Sequence, residues 1–139
     1  MEEGFPREPE ATEVQDKDRR FTVAIVEDEG DLVDVYAQLC DLKGLRISFI
    51  AYNGREAVDI FSSCATPDVI LMDHRMPALT GLEAMKKMRE MRPEARFLFL
   101  SADEEIRPEA MRAGARAFLK KPVSLMDIYN TMLKVVQEP

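Results

Sequence analysis

Four short apolar runs of this 139-residue chain stop at groups able to do chemistry. "FTVAIV" (21–26) ends in Glu27, Asp28 and Glu29, and "VILM" (69–72) ends in Asp73, followed at once by His74 and Arg75. "RFLFLS" (96–101) closes on the Ser101 hydroxyl, and "RAFLK" (116–120) leads into Lys121 and Pro122. Carboxylates cannot crowd together unpaired, because each raises the pKa of the others. An acidic, all-oxygen set with an open position suits a hard cation, and Mg²⁺ in particular keeps several waters and shares itself with phosphate. A lysine adds a point charge for one phosphate oxygen, and a serine hydroxyl can bond another. An aspartate backed by Mg²⁺ and lysine can attack a phosphoryl group. The residue types propose an acyl-phosphate site.

That chemistry requires the four run ends to meet. From Phe21 onward, apolar runs alternate with helical patterns. "DLVDVYAQLCDLKG" puts Leu32, Tyr36 and Leu39 on one face, joined by Val33, Val35 and Cys40, and Gly44 stops it. "LRISFIAY" (45–52) alternates, as a strand near a sheet edge does. Asn53 with Glu56, and Thr80 with Glu83, have the capping-box spacing, and Ser124 with Asp127 caps a last helix carrying Leu125, Ile128, Met132, Leu133 and Val136. Five strands and five helices in strict alternation, with fully apolar central strands, predict a parallel sheet covered on both faces. Right-handed crossovers then bring every strand's C-terminal end to one rim.

Composition narrows the function classes. A length of 139 residues suits one domain, and 46% hydrophobic residues suit a globular one. A net charge of -7 argues against direct nucleic-acid binding. Residues 1–20 carry seven acids, four bases and two prolines without apolar periodicity, and read as a flexible acidic tail ahead of a domain at 21–139. No segment reads as a signal peptide or membrane span, and Cys40 and Cys64 have the spacing of neither a metal site nor a disulfide framework, so a cytoplasmic location is expected.

The motifs "VAIVEDE", "DVILMDHRMPALTG", "FLFLSAD" and "AFLKKP" occur in one order on the right strand ends, and over Phe21 to Gln137 the chain resembles the receiver domain of two-component response regulators. The resemblance implies a flavodoxin-like (βα)5 fold, doubly wound with strand order 2-1-3-4-5. It implies that Asp73 accepts a phosphoryl group from a histidine kinase or phosphotransfer protein, with Mg²⁺ as cofactor. Asp28 and Asp73 would bind the metal directly, Glu27 through water, and Arg75 through its backbone carbonyl. Ser101 and Lys121, the lysine directly before proline, would hold the phosphoryl group, and Lys121-Pro122 would be a cis peptide. Phe118 falls at the aromatic switch position, where ring orientation follows the movement of Ser101. Catalysis would be limited to self-phosphorylation and self-dephosphorylation, so the chain reads as a signalling module rather than an enzyme. The alternatives are a receiver-like binding module that phosphate does not switch, or the receiver part of a larger regulator. A flavin or phosphate enzyme on this fold fits less well, because no phosphate loop follows the first strand.

Other residues receive plainer readings. His74 is expected to face solvent, Met85, Met88, Met91, Met111 and Met132 to fill the core, and "KKMREMR" to form a solvated helix face. Two features depart from the family pattern. Arg75 and Asp103, each two residues beyond a site residue, carry opposite charges that could pair and hinder the hydrolytic water. The Ser101–Phe118 interval is about two residues short and contains Pro108, so the fourth helix is predicted to begin near Pro108 and to be short. This places the usual partner-binding face, where receivers meet targets or form homodimers, in question; the downstream partner is left unassigned.

Overall fold

The computed structural model describes residues 20–138. The expected tail lies outside the described residues except for Arg20. The elements in order are β1 (Thr22–Val26), α1 (Gly30–Leu42), β2 (Arg46–Ala51), α2 (Gly54–Ser63), β3 (Val69–Met72), α3 (Gly81–Met91), β4 (Phe97–Ser101), a 3₁₀ turn (Glu104–Ile106), α4 (Arg107–Arg112), β5 (Ala117–Lys120) and α5 (Leu125–Gln137). All strand pairs are parallel and the order is β2-β1-β3-β4-β5, the doubly wound flavodoxin-like arrangement.

The apolar strands divide their side chains between two layers, as a period of two requires. Val23, Ile25, Val69, Leu71, Leu98 and Leu100 face α1 and α5, where Val33, Tyr36, Leu39, Ile128 and Met132 close one core. Ala24, Val26, Ile70, Met72, Phe97 and Phe99 face the other layer, where Ala57, Phe61, Met85, Met88 and Ala110 from α2, α3 and α4 close the second. Strand β2 lies at an edge and keeps Arg46, Ile47 and Ser48 exposed, in line with its alternating sequence.

The helix starts follow their sequence signals with one variation. Thr80 and Glu83 form a reciprocal capping box, and Ser124 accepts from the Asp127 N–H. Asn53 accepts from the Glu56 N–H, but the Glu56 carboxylate reaches one residue further back, to the Tyr52 N–H at 2.6 Å. The fourth helix begins at Arg107, has six residues, and lacks a side-chain cap.

Several plain readings need correction. Met91 and Met111 are exposed rather than core residues, because α3 and α4 turn those positions away from the sheet. In α5 the buried face is Ile128, Tyr129, Met132 and Val135, while Leu125, Leu133 and Val136 are half-buried. The sequence puts Cys64 on the apolar face of a helix, but it lies at the C-cap of α2. "KKMREMR" is not wholly solvated. Arg92 stacks its guanidinium 3.9 Å from the Phe61 ring centroid and donates to the Phe61 and Cys64 carbonyls at the end of α2. Arg89 donates to the Ala113 carbonyl at the end of α4. Both satisfy helix-end carbonyls that a sequence cannot pair in advance.

Candidate functional site

Strand register brings the chemical groups together. Val26 is opposite Met72, so the next residues of β1 and β3, Glu27 and Asp73, emerge side by side at the C-terminal rim. The Asp73 N–H donates to the Val26 carbonyl at 3.0 Å and the Glu27 N–H to the Ala51 carbonyl at 3.0 Å, fixing both backbones as the strands end. Ser101 is opposite Lys120, and the Lys121 N–H donates to the Ser101 carbonyl, so Lys121 is the lysine that enters the site. The Lys121-Pro122 bond is cis.

The start of α3 presses on Asp73 from the other side. The Gly81 N–H donates to the His74 carbonyl at 2.8 Å, and a Cβ on Gly81 would collide with the Asp73 carbonyl oxygen. Only glycine permits this approach. Between them the chain makes a three-residue turn, with the Leu79 N–H on the Pro77 carbonyl and Ala78 at φ 72°.

The result is a cleft of about 470 Å³ lined by Glu27, Asp28, Glu29, Asp73, Arg75, Ser101, Ala102, Asp103 and Lys121. Glu27, Asp73 and Ser101 are its buried polar groups, at 1%, 8% and 2% exposure. Lys121 Nζ donates to Glu27 Oε1 at 2.8 Å and to Asp73 Oδ1 at 3.3 Å. Burial pushes Glu27 up to about 7 against the hydrogen bond from Lys121, and the Asp73 charge adds to the rise. Burial likewise raises Asp73, against the charge and hydrogen bond of Lys121. Burial works against the ammonium of Lys121, but its bond to Glu27 and the charges of Asp73 and Glu27 outweigh it and raise the pKa.

Glu27, Asp28 and Asp73 each offer a carboxylate oxygen, all within 4.8 Å of one another. One lysine against three carboxylates leaves an excess of negative charge, and the donors are all hard oxygens. The set fits a hard divalent cation such as Mg²⁺.

The remaining expected residues lie around this centre. Ser101 Oγ accepts from the Asp103 N–H at 3.0 Å. Arg75 donates through Nε and Nη2 to Asp103 Oδ2 at 3.1 and 3.0 Å, closing a bridge across the mouth of the cleft, with the Arg75 side chain 78% exposed. Phe118 lies apart from the cleft, buried on β5 and stacked on Phe99 with centroids 6.2 Å apart. His74 departs from its expected solvent position. Its ring is half-buried, and Nδ1 accepts from the Leu82 N–H at 3.4 Å in the first turn of α3. Burial lowers its pKa.

One feature was missed. An apolar groove of about 400 Å³ adjoins the cleft, lined by Leu32, Val35 and Tyr36 of α1 and by Pro122, Val123 and Leu125, and it shares Ala102 and Lys121 with the cleft. The signal for it was a surplus: α1 has more apolar residues than the buried face of Val33, Tyr36, Leu39 and Cys40 uses.

Five parallel strands in this order, with an acidic cation-type cleft at their C-terminal rim, define a flavodoxin-like α/β protein with its site at the switch point of the sheet. Within that class the chain belongs to the response regulator receiver domains of two-component systems, whose sequence profile matches residues 23–133. It is 30% identical over 118 residues to two-component response regulator 24 of Arabidopsis thaliana, covering 84% of each chain. It is 30% identical over 115 residues to the chemotaxis protein CheY of Thermotoga maritima, covering 81% of this chain and 95% of that one. A chain of the CheX-CheY-BeF3-Mg²⁺ complex from Borrelia burgdorferi superposes with a TM-score of 0.79 at 25% identity, over 85% of this chain and 90% of that chain. No helix among the described residues is long and apolar enough to cross a membrane.

Proposed function

We propose that Asp73 accepts a phosphoryl group from a histidine kinase or phosphotransfer protein and that the modification alters a partner-binding surface. The observation that carries this reading is the Asp73 carboxylate itself. It is buried at the rim, within 3.3 Å of the Lys121 ammonium and beside two further carboxylates. A carboxylate oxygen of Asp73 forms the bond to phosphorus as the bond from phosphorus to the donor nitrogen breaks, and the donor keeps that electron pair. Asp28, Asp73, the Arg75 backbone carbonyl and, through water, Glu27 would hold Mg²⁺. When bound, the cation neutralises charge on the phosphoryl oxygens and the surrounding carboxylates.

Lys121 is placed to pair with one phosphoryl oxygen and the Ser101 hydroxyl to donate to another. Turning to the phosphoryl group takes Ser101 Oγ from the Asp103 N–H, and Phe118 responds on β5. Arg75 and Asp103 pair on the lining of the cleft, where the bridge would hinder the hydrolytic water and prolong the phosphorylated state. Hydrolysis returns Asp73 and inorganic phosphate, so any catalysis is on the chain's own residue. The reading puts the site of action in the cytoplasm, beside the kinase.

The test is incubation with acetyl phosphate and Mg²⁺, read by intact mass. We expect one phosphoryl group, lost in Asp73→Asn and on chelation of the metal. A wild-type chain that gains none, while folded and able to bind Mg²⁺, would instead be a phosphate-independent binding module.

A further inference from the structure

We propose that Arg107 is a positioning residue whose guanidinium holds the Phe118 ring buried and ties it to the segment carrying Ser101 and Asp103. The latch does not depend on phosphorylation; its regulatory consequence rests on the phosphoryl-acceptor reading of Asp73.

Three interactions converge on this one guanidinium. Its central carbon lies 4.7 Å from the Phe118 ring centroid. Nη1 donates to the Phe118 carbonyl at 3.2 Å, and Nη2 to Glu104 Oε2 at 3.2 Å. Arg107 thus grips the backbone and the ring of the same residue. Strand β5 is the last of the sheet, so its outer backbone groups have no neighbouring strand. A donor from α4 satisfies one of them, and the planar cation covers an aromatic face at the same time. Phe118 is only 5% exposed with this cover in place.

The other end of the latch leads to the cleft. Glu104, which anchors Nη2, also lies 3.7 Å from the Lys120 ammonium. Asp103, the residue before it, gives its N–H to Ser101 Oγ and its carboxylate to Arg75. Three contacts, joined by the Asp103–Glu104 peptide bond, therefore run from Arg75 at the cleft mouth to Arg107 and Phe118. When the Ser101 hydroxyl turns to a phosphoryl oxygen, the Asp103 N–H loses its partner and the segment is free to shift. Through Glu104 that shift reaches Arg107 and Lys120, and of these two Arg107 holds the Phe118 ring. The buried state of Phe118 is thus set by two groups, the guanidinium above it and Ser101 at the end of the neighbouring strand.

The experiment uses the full chain with 4-fluorophenylalanine at its seven phenylalanines. Fluorine NMR with a soluble paramagnetic agent reads the exposure of each assigned ring. Arg107→Met keeps the aliphatic stem and removes the planar cation. We expect Phe118 to become several-fold more accessible in it, with Phe61 and Phe97 unchanged. Glu104→Ala, on the surface, should move Phe118 in the same direction by less. Phe118 as protected in both variants as in the wild type would overturn the latch. Mg²⁺ with beryllofluoride is then added and followed independently through the amides of Asp73 and His74. We expect the accessibility of Phe118 to change less in Arg107→Met than in the wild type, because the relay through Arg107 is gone. A response at Asp73 with equal changes at Phe118 in both proteins overturns the coupling. No response at Asp73 in either protein overturns the phosphoryl-acceptor reading, while the latch is still judged by the comparison without added ions.

Discussion

Helices α3 and α4 flank the same second core but are built to different standards. Helix α3 has 11 residues, a reciprocal capping box, and Leu82, Ala84, Met85 and Met88 buried against the sheet. Helix α4 has six residues, no side-chain cap, and a single buried residue, Ala110. The first turn of α3 abuts Asp73 through Gly81, whereas α4 is joined to β5 through Arg107 and to α3 through the surface pair Glu109–Lys86, and the 3₁₀ turn before it meets β5 through Glu104–Lys120. Few buried apolar contacts mean low local stability. Asp73 is thus held by the firm helix, and the segment after Ser101 is left free to adjust. The proposed function asks for a site both preorganised and responsive, and it would gain from that division.

The sharpest way to break the comparison is to disturb each helix at its glycine. In Gly81→Ala the new Cβ meets the Asp73 and His74 backbone, which cannot yield without moving Asp73. We expect a loss of about 3 kcal/mol in denaturant unfolding and slower acetyl phosphate labelling. In Gly114→Ala, just beyond α4, the backbone at φ 116° is strained for alanine, but the crowding atoms belong to the movable end of Arg89. There we expect about 1–2 kcal/mol and labelling close to wild type. Equal losses of stability and of labelling in the two variants would erase the distinction. A step smaller, Thr80→Ala removes the hydroxyl that accepts from the Glu83 N–H and should cost about 1 kcal/mol. Its effect should be visible as faster amide exchange confined to the first turn of α3.

The same contrast explains what the sequence disclosed. Periodicity and capping spacings are local, so the apolar strands and the capping pairs were legible, and right-handed crossovers put the ends of the strands at one rim. The strand order that makes Glu27, Asp28, Asp73, Ser101 and Lys121 neighbours, and the short fourth helix, came from the family resemblance together with Pro108. Pairings between distant side chains were not legible. Nothing in "KKMREMR" says that Arg92 will cap α2 or Arg89 α4, since each partner lies more than twenty residues away. Lys121 approaches Glu27 more closely than it approaches Asp73, and that preference depends on a side-chain length acting in a geometry fixed only by the sheet. His74 took its bond to α3 because the chain turns back on itself within eight residues. Arg107 carried no motif at all. Its role follows from an open sheet edge that exists only in three dimensions.

The smallest stability effect should come with a kinetic one. Arg75 and Asp103 bridge the two regions, one following Asp73 and the other starting the loose segment, with the arginine largely in solvent. An exposed ion pair adds little to stability, and salt screens it further. Arg75→Ala should therefore leave the unfolding midpoint nearly unchanged. Its backbone carbonyl remains, so Mg²⁺ affinity should change little as well. What the substitution removes is a guanidinium across the mouth of the cleft. If that group obstructs the entering water, the half-life of phosphorylated Asp73 should shorten several-fold, measured by loss of phosphoryl mass after the donor is withdrawn. Asp103→Asn should give part of the same effect, because the bridge weakens while the side-chain shape is kept. An unchanged half-life in Arg75→Ala would confine the bridge to the surface and leave water entry to the cleft's remaining walls.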